Sequence, residues 1–305
     1  MQKLYVGKNR EYKSISDILS LIKPYTTIYL DNGIYHEKIK INCDNISIIG
    51  ESENNTIISF SDYALKIHKD GKEFNTFRTP TLHLLGKNIE LKNLTIKNES
   101  GIGKIYGQAV ALSLTGDNIT LDHVTLEAHQ DTLFLGPLPK DLQIRYLGFL
   151  ENDELVDLEK RRYLIKSSKI IGDVDFIFGT GNAYFLNCEI ISNGDGFITA
   201  PATEKEDFYG FTFFKCKFLK YNANHVYLSR PWRDYGKAVF IDCLYDNHII
   251  DLGFDKWNDT DRDKTARFYE HNSFYIDHHD YQRVYFTKTL DEDELNLYDQ
   301  SLVLK

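Results

Sequence analysis

Short apolar and aromatic stretches separated by turn residues follow one another along most of this chain, and the stretches repeat. The segment from Asn88 to Ile96 is echoed by the segment from Asn118 to Leu126, at an offset of 30 residues. Similar segments begin at Tyr184, Phe213 and Phe240. A fixed repeat of about 20–50 residues predicts a solenoid, and units made only of strands and turns predict a parallel β-helix.

One early segment has a helical pattern instead. Between Ser14, a potential N-cap, and Pro24, apolar residues recur at helical spacing: Ile15, Ile18, Leu19 and Ile22. We therefore expect a short N-terminal helix that caps one open end of the solenoid.

The composition agrees with an all-β fold. The chain has 20 Tyr, 19 Phe and an apolar fraction of 42%, and aromatic residues favour strands. We expect a single domain over residues 1–305, interrupted by a charged excursion over 136–162 and followed by an acidic tail over 273–305. Both segments are expected to be solvated, with a loop beside the functional groove as the alternative for the excursion.

Three of the four cysteines share the rhythm of the repeat. Cys216 follows Cys188 by 28 residues and Cys243 follows Cys216 by 27. Equivalent positions of stacked coils lie about 4.8 Å apart, so we expect an inward ladder of reduced, buried thiols rather than a disulfide or redox site. The chain has no CxxC pair, which argues against a zinc site.

Charge and hydropathy restrict the partners. A net charge of −9 excludes nucleic acid as a natural partner, because phosphate binding needs a basic surface. No apolar run approaches the roughly 20 residues that a membrane helix needs. The first residues lack the apolar stretch of a secretory signal, so we expect a cytoplasmic protein, or a secreted one if a leader is missing.

Four clusters place polar residues inside apolar strand sequence: Gly107–Leu112, Ala128–Leu133, Gly172–Gly179 and Leu228–Trp232. In a solenoid, positions far apart in sequence line one groove. Gln108 and Gln130 are 22 residues apart, which suits one coil. Asp131 and Asp175 are 44 residues apart, and they would lie on adjacent coils if the charged excursion loops out.

These residue types form a coherent chemical set. An ionised, oriented carboxylate can attack an ester carbonyl, and a neighbouring arginine lowers its pKa. A second carboxyl group with a raised pKa can donate a proton to the leaving alcohol, and amide N–H groups can stabilise an oxyanion. Taken singly, each of these residues has the simpler interpretation of a turn or ladder residue. Together they indicate catalysis.

The clusters resemble the signatures of the pectin methylesterases, namely the QAVAL, QDTL, GxVDFIFG and RPW segments. An earlier stretch from Gly33 to Ile39 resembles the family's GxYxEK segment. The similarity extends from about residue 4 to residue 272. It implies a right-handed parallel β-helix, no metal or organic cofactor, and hydrolysis of the methyl esters of pectin or of methylated oligogalacturonides by a monomer.

The resemblance also implies roles for individual residues. Asp175 would be the nucleophile and Asp131 the general acid and then base. Gln108 and Gln130 would form the oxyanion hole. The remaining matches would bind the nucleophile or the substrate: Arg230 would contact Asp175 and the sugar, Trp232 would pack on a sugar ring and Phe178 would line the groove.

The chain departs from the family pattern at several places. Ser229 replaces a glycine before the RPW segment, and the excursion over 136–162 is longer than usual. Glu99 occupies a position where many members have threonine, and we expect it to disfavour a free galacturonate at a subsite. Two alternatives remain open: another β-helix enzyme, such as a pectate lyase or polygalacturonase, and a carbohydrate-binding solenoid without activity.

Overall fold

The computed structural model describes every residue from Met1 to Lys305 and consists mainly of short strands. The first twelve strands are β1 Gln2–Val6, β2 Thr26–Leu30, β3 Gly33–His36, β4 Ile39–Ile41, β5 Ile46–Gly50, β6 Thr56–Phe60, β7 Leu82–Leu84, β8 Ile89–Asn98, β9 Leu112–Leu114, β10 Ile119–Glu127, β11 Leu133–Leu135 and β12 Arg162–Lys166. The others are β13 Lys169–Gly179, β14 Asn182–Leu186, β15 Glu189–Pro201, β16 Phe211–Phe214, β17 Lys217–Lys220, β18 Val226–Ser229, β19 Lys237–Ile241, β20 Leu244–Tyr245, β21 Arg267–His271, β22 Phe274–Tyr275 and β23 Thr287–Thr289.

The helices are few and short. Four are α-helical: α1 Gly103–Tyr106, α2 Lys140–Arg145, α3 Glu292–Leu295 and α4 Gln300–Val303. Five are 3₁₀ helices: Ser16–Leu21, Thr76–Arg78, Asn152–Glu154, Arg262–Lys264 and Asn296–Tyr298. None of them combines the length and the apolar character that crossing a bilayer requires.

All named strands pair in parallel, and the pairings form three ladders. The first runs through β1, β2, β5, β8, β10, β12, β14, β16, β19, β21 and β23. The second begins with β3 and β6 and ends with β20 and β22. The third runs through β4, β7, β9, β11, β13, β15 and β18. Three parallel ladders around one apolar interior make a parallel β-helix, as the repeat predicted.

Asparagines at equivalent corners turn the chain from coil to coil. Asn45, Asn88 and Asn118 all have left-handed backbone, with φ between 55° and 59°. Asparagine tolerates this region better than most residues. Their side chains also hydrogen-bond from coil to coil, at 3.0 Å between Asn88 and Asn45 and 2.7 Å between Asn118 and Asn88. The repeated asparagines therefore fix a corner of the solenoid.

Inward side chains stack in register. The rings of Phe185, Phe213 and Phe240 lie nearly parallel, with centroids 4.3 Å and 5.0 Å apart. The three regularly spaced cysteines, Cys188, Cys216 and Cys243, are buried and free. The strands that follow them pair Glu189 with Lys217 and Lys217 with Leu244, so the predicted thiol ladder is confirmed.

The predicted N-terminal helix is a 3₁₀ helix, Ser16–Leu21, rather than an α-helix capped by Ser14. Ser14 and Asp17 do exchange hydrogen bonds, since the Asp17 carboxylate accepts from the backbone of Ser14 and the Ser14 hydroxyl from that of Asp17. Pro24 lies only three residues after the end of this helix, and a proline prevents the helix from continuing. Ile18 packs into the solenoid core, and the role of this helix as an end cap stays a prediction.

Neither irregular segment is a simple solvated loop. In the excursion, Leu138, Leu142, Tyr146 and Leu150 are buried in an apolar cluster outside the main core. The tail contributes β22 and β23, and its later part buries Leu290, Tyr298 and Val303. Both segments are polar overall, and the expectation of solvated loops came from that polarity. Apolar residues spaced between the charged ones nevertheless allow both segments to pack onto the solenoid.

Candidate active site

The two candidate aspartates lie on adjacent coils along the third ladder. Asp131 lies two residues before β11, and Asp175 lies within β13 at an irregularity between Val174 and Ile177. The Asp131 backbone N–H donates to the Val174 carbonyl at 3.1 Å. Both aspartates have left-handed backbone, with φ of 67° and 50°. The excursion loops out between them, as their spacing required.

Arg230 binds Asp175 directly. Its Nε and Nη2 donate to the two carboxylate oxygens at 2.8 Å and 2.6 Å, a bidentate pair. The guanidinium itself lies between two aromatic rings, 3.8 Å from the Phe197 centroid and 4.1 Å from that of Trp257. Because both faces and one edge are occupied, the arginine holds the carboxylate in one orientation.

The surroundings make the two carboxyl groups unequal. Burial, and then the charge of Asp175, hold the pKa of Asp131 well above its usual range. Burial also raises the pKa of Asp175, but the hydrogen bonds and charge of Arg230 oppose this. Of the two groups, Asp175 is therefore the one that ionises first, because only Asp175 has a cationic partner.

Gln108 and Gln130 lie one coil apart beside these aspartates. The backbone N–H of Ala109 donates to the Gln130 carbonyl at 3.1 Å, which joins the two positions. Both amide side chains line the same cavity as the aspartates and are half-buried. Gly103 approaches Gln130 so closely that a Cβ at that position would lie 2.3 Å from the amide oxygen.

An aromatic wall completes the cavity, which has a volume of about 430 Å³. Phe178 and Trp232 meet edge to face with their centroids 5.7 Å apart. Phe134 and Phe77 lie behind Phe178 and contact one another. The structure thus brings all seven residues chosen from the sequence to one cavity: Gln108, Gln130, Asp131, Asp175, Phe178, Arg230 and Trp232.

Several lining residues were not anticipated from the sequence. The excursion contributes Leu142, Arg145 and Tyr146 to the cavity wall. Trp257 contributes from a loop beyond the fourth motif. It is one of only two tryptophans in the chain, and this rarity was the one sequence signal that could have identified it. The excursion residues offered no such signal.

Two departures from the family pattern, Ser229 and Glu99, lie outside the lining of this cavity. Ser229 is fully buried, and its hydroxyl donates to the Thr199 carbonyl at 3.3 Å. Glu99 does not line the cavity and lies 4.0 Å from His36 on the exposed surface. The expectation that Glu99 disfavours a free galacturonate at a subsite stays a prediction.

A larger cavity of about 580 Å³ lies on the other side of Phe77. Several of its charged groups pair with one another, as in the contact of Lys38 with Asp62 at 2.5 Å. Three acidic residues at its rim approach closely enough to hold a cation: Glu151, Asp153 and Glu154. The ammonium of Lys40 already binds this group, at 2.6 Å from Glu151 and 2.8 Å from Asp153. The chemistry therefore belongs to the smaller cavity.

Comparison with known proteins agrees with this geometry. The profile of the pectinesterase family matches residues 7–137 and 146–299. The chain belongs to the pectinesterase family. It is accordingly a carboxylic ester hydrolase.

Individual relatives of this pectinesterase are distant but align over most of their length. Pectinesterase A of Dickeya dadantii is 27% identical over 317 residues, which cover 87% of this chain and 80% of the relative. Pectin methylesterase PemA from Erwinia chrysanthemi has the same fold, with a TM-score of 0.82 at 24% identity over 100% of this chain and 97% of the other. A pectin methylesterase solved in complex with a hexasaccharide gives the same TM-score and coverage at 25% identity.

The family match omits residues 138–145. This interval contains α2 and most of the excursion residues that reach the cavity. The part of the cavity wall formed by α2 is therefore a feature of this pectinesterase outside the family match.

Proposed function

We propose that this enzyme hydrolyses the methyl esters of galacturonate residues in pectin or its oligomers, through Asp175 as nucleophile and Asp131 as general acid and base. The observation that carries the proposal is the asymmetry of the two buried carboxyl groups. Arg230 binds Asp175 alone, and Asp131 has no cationic partner. One carboxylate is thus stabilised for attack while its neighbour keeps a proton to donate.

The first half of the reaction forms an acyl-enzyme. An oxygen of Asp175 attacks the C6 carbonyl of the methyl ester, and negative charge develops on the carbonyl oxygen. The amides of Gln108 and Gln130 donate hydrogen bonds to this oxyanion. Asp131 protonates the departing methoxide, so methanol leaves and an anhydride joins Asp175 to the sugar.

The second half releases the acid. Asp131, now ionised, takes a proton from a water molecule that attacks the same carbonyl carbon. The bond to Asp175 breaks, and the products are a galacturonate carboxylate and free Asp175. Both steps depend on the order of ionisation described above, so activity requires a pH between the apparent pKa values of the pair.

The aromatic wall suits a sugar polymer. Trp232 and Phe178 present apolar ring surface that can pack against the C–H face of a pyranose, and the cavity is open at the solenoid surface. The related pectin methylesterase that was solved with a hexasaccharide supports an oligosaccharide as ligand. We propose further that the enzyme acts as a monomer in the cytoplasm on imported, partly methylated oligomers. Fractionation of the source cells and sedimentation of the purified enzyme test these two statements.

Asparagine substitutions test the catalytic pair. Asp175→Asn and Asp131→Asn preserve side-chain size and suit left-handed backbone, so both variants should fold. Each should lose at least about 10²–10⁴-fold in methanol release from methylated pectin, and Gln130→Ala should lose roughly 10²–10³-fold. Asp122→Asn is the matched control, because Asp122 is buried on β10 but lies outside the cavity.

The product identifies the reaction class. Methanol without new reducing ends or unsaturated uronates is expected, whereas a lyase or a glycosidase would give one of the latter. Near wild-type methanol release by Asp175→Asn would remove the nucleophile assignment. Absence of any reaction in the wild type would favour a binding protein.

A further inference from the structure

A third aspartate and a histidine lie close to the proposed catalytic pair. Asp173 precedes Asp175 by two residues, and His129 precedes Asp131 by two. The His129 Nδ1 lies 2.9 Å from a carboxylate oxygen of Asp173, and it donates this hydrogen bond because a carboxylate only accepts. Neither residue lines the cavity. Asp173 occupies the position written x in the GxVDFIFG segment, and the mechanism proposed above gives this pair no role.

The pair holds the backbone next to the proposed general acid. The Asp173 backbone N–H donates to the His129 carbonyl at 3.1 Å. The other carboxylate oxygen of Asp173 accepts from the Val174 backbone N–H at 2.7 Å. The Val174 carbonyl in turn accepts from the backbone N–H of Asp131 at 3.1 Å. The side chain of Asp173 therefore orients the residue that Asp131 contacts on the adjacent coil.

These contacts lie at the irregular part of β13. Its pairing with β15 shifts register on both sides of Val174, so regular ladder hydrogen bonds do not fix Asp173 and Asp175. Asp175 has left-handed backbone there, with φ of 50°. Such backbone costs free energy and persists only where its surroundings hold it. The hydrogen bonds of Asp173 are part of what holds it.

The next coil approaches Asp173 through glycines. A Cβ at Gly194 would lie 3.2 Å from the Cβ of Asp173, and a Cβ at Gly196 would lie 2.4 Å from the Asp173 carbonyl oxygen. The carboxylate of Asp195, between the two glycines, accepts instead from the backbone of residues 224 and 225. The side chain of Asp173 is therefore confined between two coils, with His129 as its hydrogen-bond donor.

The charge of Asp173 also affects Asp131. Burial is the largest cause of the raised pKa of Asp131, and the charge of Asp175 is the next. Arg230 opposes them, whereas the charge of Asp173 raises the pKa further. The simpler interpretation of Asp173 and His129 is a pair that only joins two coils. A pair of that kind would not change the pH at which Asp131 loses its proton.

We infer that Asp173, held by His129, is a positioning residue that acts on the proposed general acid, Asp131, through the backbone and through its charge. This inference rests on the proposed function. Asp131 must carry a proton when the methoxide departs, so the loss of that proton sets the alkaline limit of activity. The charge of Asp173 moves this limit to higher pH.

The test measures methanol release from methylated pectin as a function of pH in Asp173→Asn and Asp173→Ala. Asparagine keeps the size and the acceptor for the Val174 N–H but removes the charge. The alkaline limit should therefore move to lower pH by at least roughly half a unit, with little loss of kcat below that limit. Alanine also removes the acceptor, so kcat should fall roughly tenfold in addition, with KM nearly unchanged.

Substitutions of His129 separate the two effects. His129→Gln keeps a donor for Asp173 and should retain kcat, whereas His129→Phe removes the donor and should lose kcat in the same way as Asp173→Ala. The charge of Asp173 remains in both variants. Their alkaline limits should therefore not move to lower pH.

Asp122→Asn is the matched control. Asp122 is also a buried aspartate in contact with a histidine, His123 at 2.6 Å, and it lies outside the cavity. Its alkaline limit should equal that of the wild type. An unmoved limit in Asp173→Asn, or an equal shift in Asp122→Asn, would overturn the inference while the release of methanol left the esterase intact. This comparison decides even if Asp173→Ala does not fold. If the wild type released no methanol, the proposed function would fail and this inference with it.

Discussion

Asp131 and Asp175 have the same side chain and nearly the same burial, and they differ at the residue scale only in their neighbours. Arg230 supplies two hydrogen bonds to Asp175, and its orientation depends on Phe197 and Trp257. Asp131 receives no comparable contact. The proposed division of roles therefore depends on one arginine and the two rings that enclose it.

This arrangement predicts that Asp131, the proposed general acid, destabilises the fold. The pKa of Asp131 is raised in the folded state, so the folded protein binds the proton more tightly than the unfolded chain. Stability from this group is fully present below the ordinary aspartate pKa and falls as pH rises toward the folded pKa. Asp131→Asn should be more stable than the wild type at neutral pH, with the advantage shrinking toward acidic pH.

Urea unfolding from acidic to neutral pH checks this prediction. Because one proton is involved, the substitution can change the dependence of the free energy of unfolding on pH by at most about 1.4 kcal/mol per pH unit. Asp122→Asn serves as a control of opposite sign, because His123 and Lys166 outweigh burial and lower the pKa of Asp122, so this variant should be less stable than the wild type at neutral pH. A stability difference between Asp131→Asn and the wild type that does not change with pH would contradict the prediction.

At the scale of elements, the C-terminal tail packs over one charged residue of the solenoid. The C-terminal tail covers Lys237 at the start of β19. The ammonium of Lys237 donates to the Phe208 carbonyl and lies 5.1 Å from both the Tyr269 and the Tyr298 rings. Burial, and then the charge of Arg267, lower the pKa of Lys237 to about 7.

Lys237 should therefore make the free energy of unfolding increase as the pH rises above neutral. Between about pH 7 and the ordinary lysine pKa, the unfolded chain binds the proton that the folded protein lacks, so stability rises with pH. Lys237→Met should lack this rise. In urea unfolding at neutral and alkaline pH, the free energy of unfolding of the wild type should increase relative to that of the variant. The increase should be at most about 1.4 kcal/mol per pH unit.

The same substitution at Lys217 provides a control, because Lys217 is exposed on β17. The difference between wild type and Lys217→Met should stay constant with pH. A constant difference for Lys237→Met as well would show that the tail does not bury this ammonium.

For the whole molecule, stability comes from coils that contact only their neighbours. The stacked phenylalanines and the thiol ladder run through successive coils, so the interior is continuous although each coil is thin. The three ladder thiols are fully buried, and burial raises the pKa of Cys216 and, to about 12, that of Cys243. Thiols in this state are poor nucleophiles.

Thiol titration should therefore distinguish the folded from the unfolded protein. In the native enzyme only Cys43, which is partly exposed, should react with a thiol reagent on a short timescale. Denaturation without reductant should release all four thiols. Disulfide-linked peptides recovered from the non-reduced protein would contradict the ladder of free cysteines.

The sequence by itself predicted the solenoid, its cysteine ladder and seven of the residues that line the cavity. This was possible because stacking converts a constant offset along the chain into contact between neighbouring coils, so the spacing of Gln108 and Gln130 was enough to place them together. Tertiary structure alone decided the enclosure of Arg230 by Trp257 and the placement of Arg145 at the groove. These features depend on loops of irregular length, and the path of such a loop is set by packing against distant residues rather than by a period in the sequence.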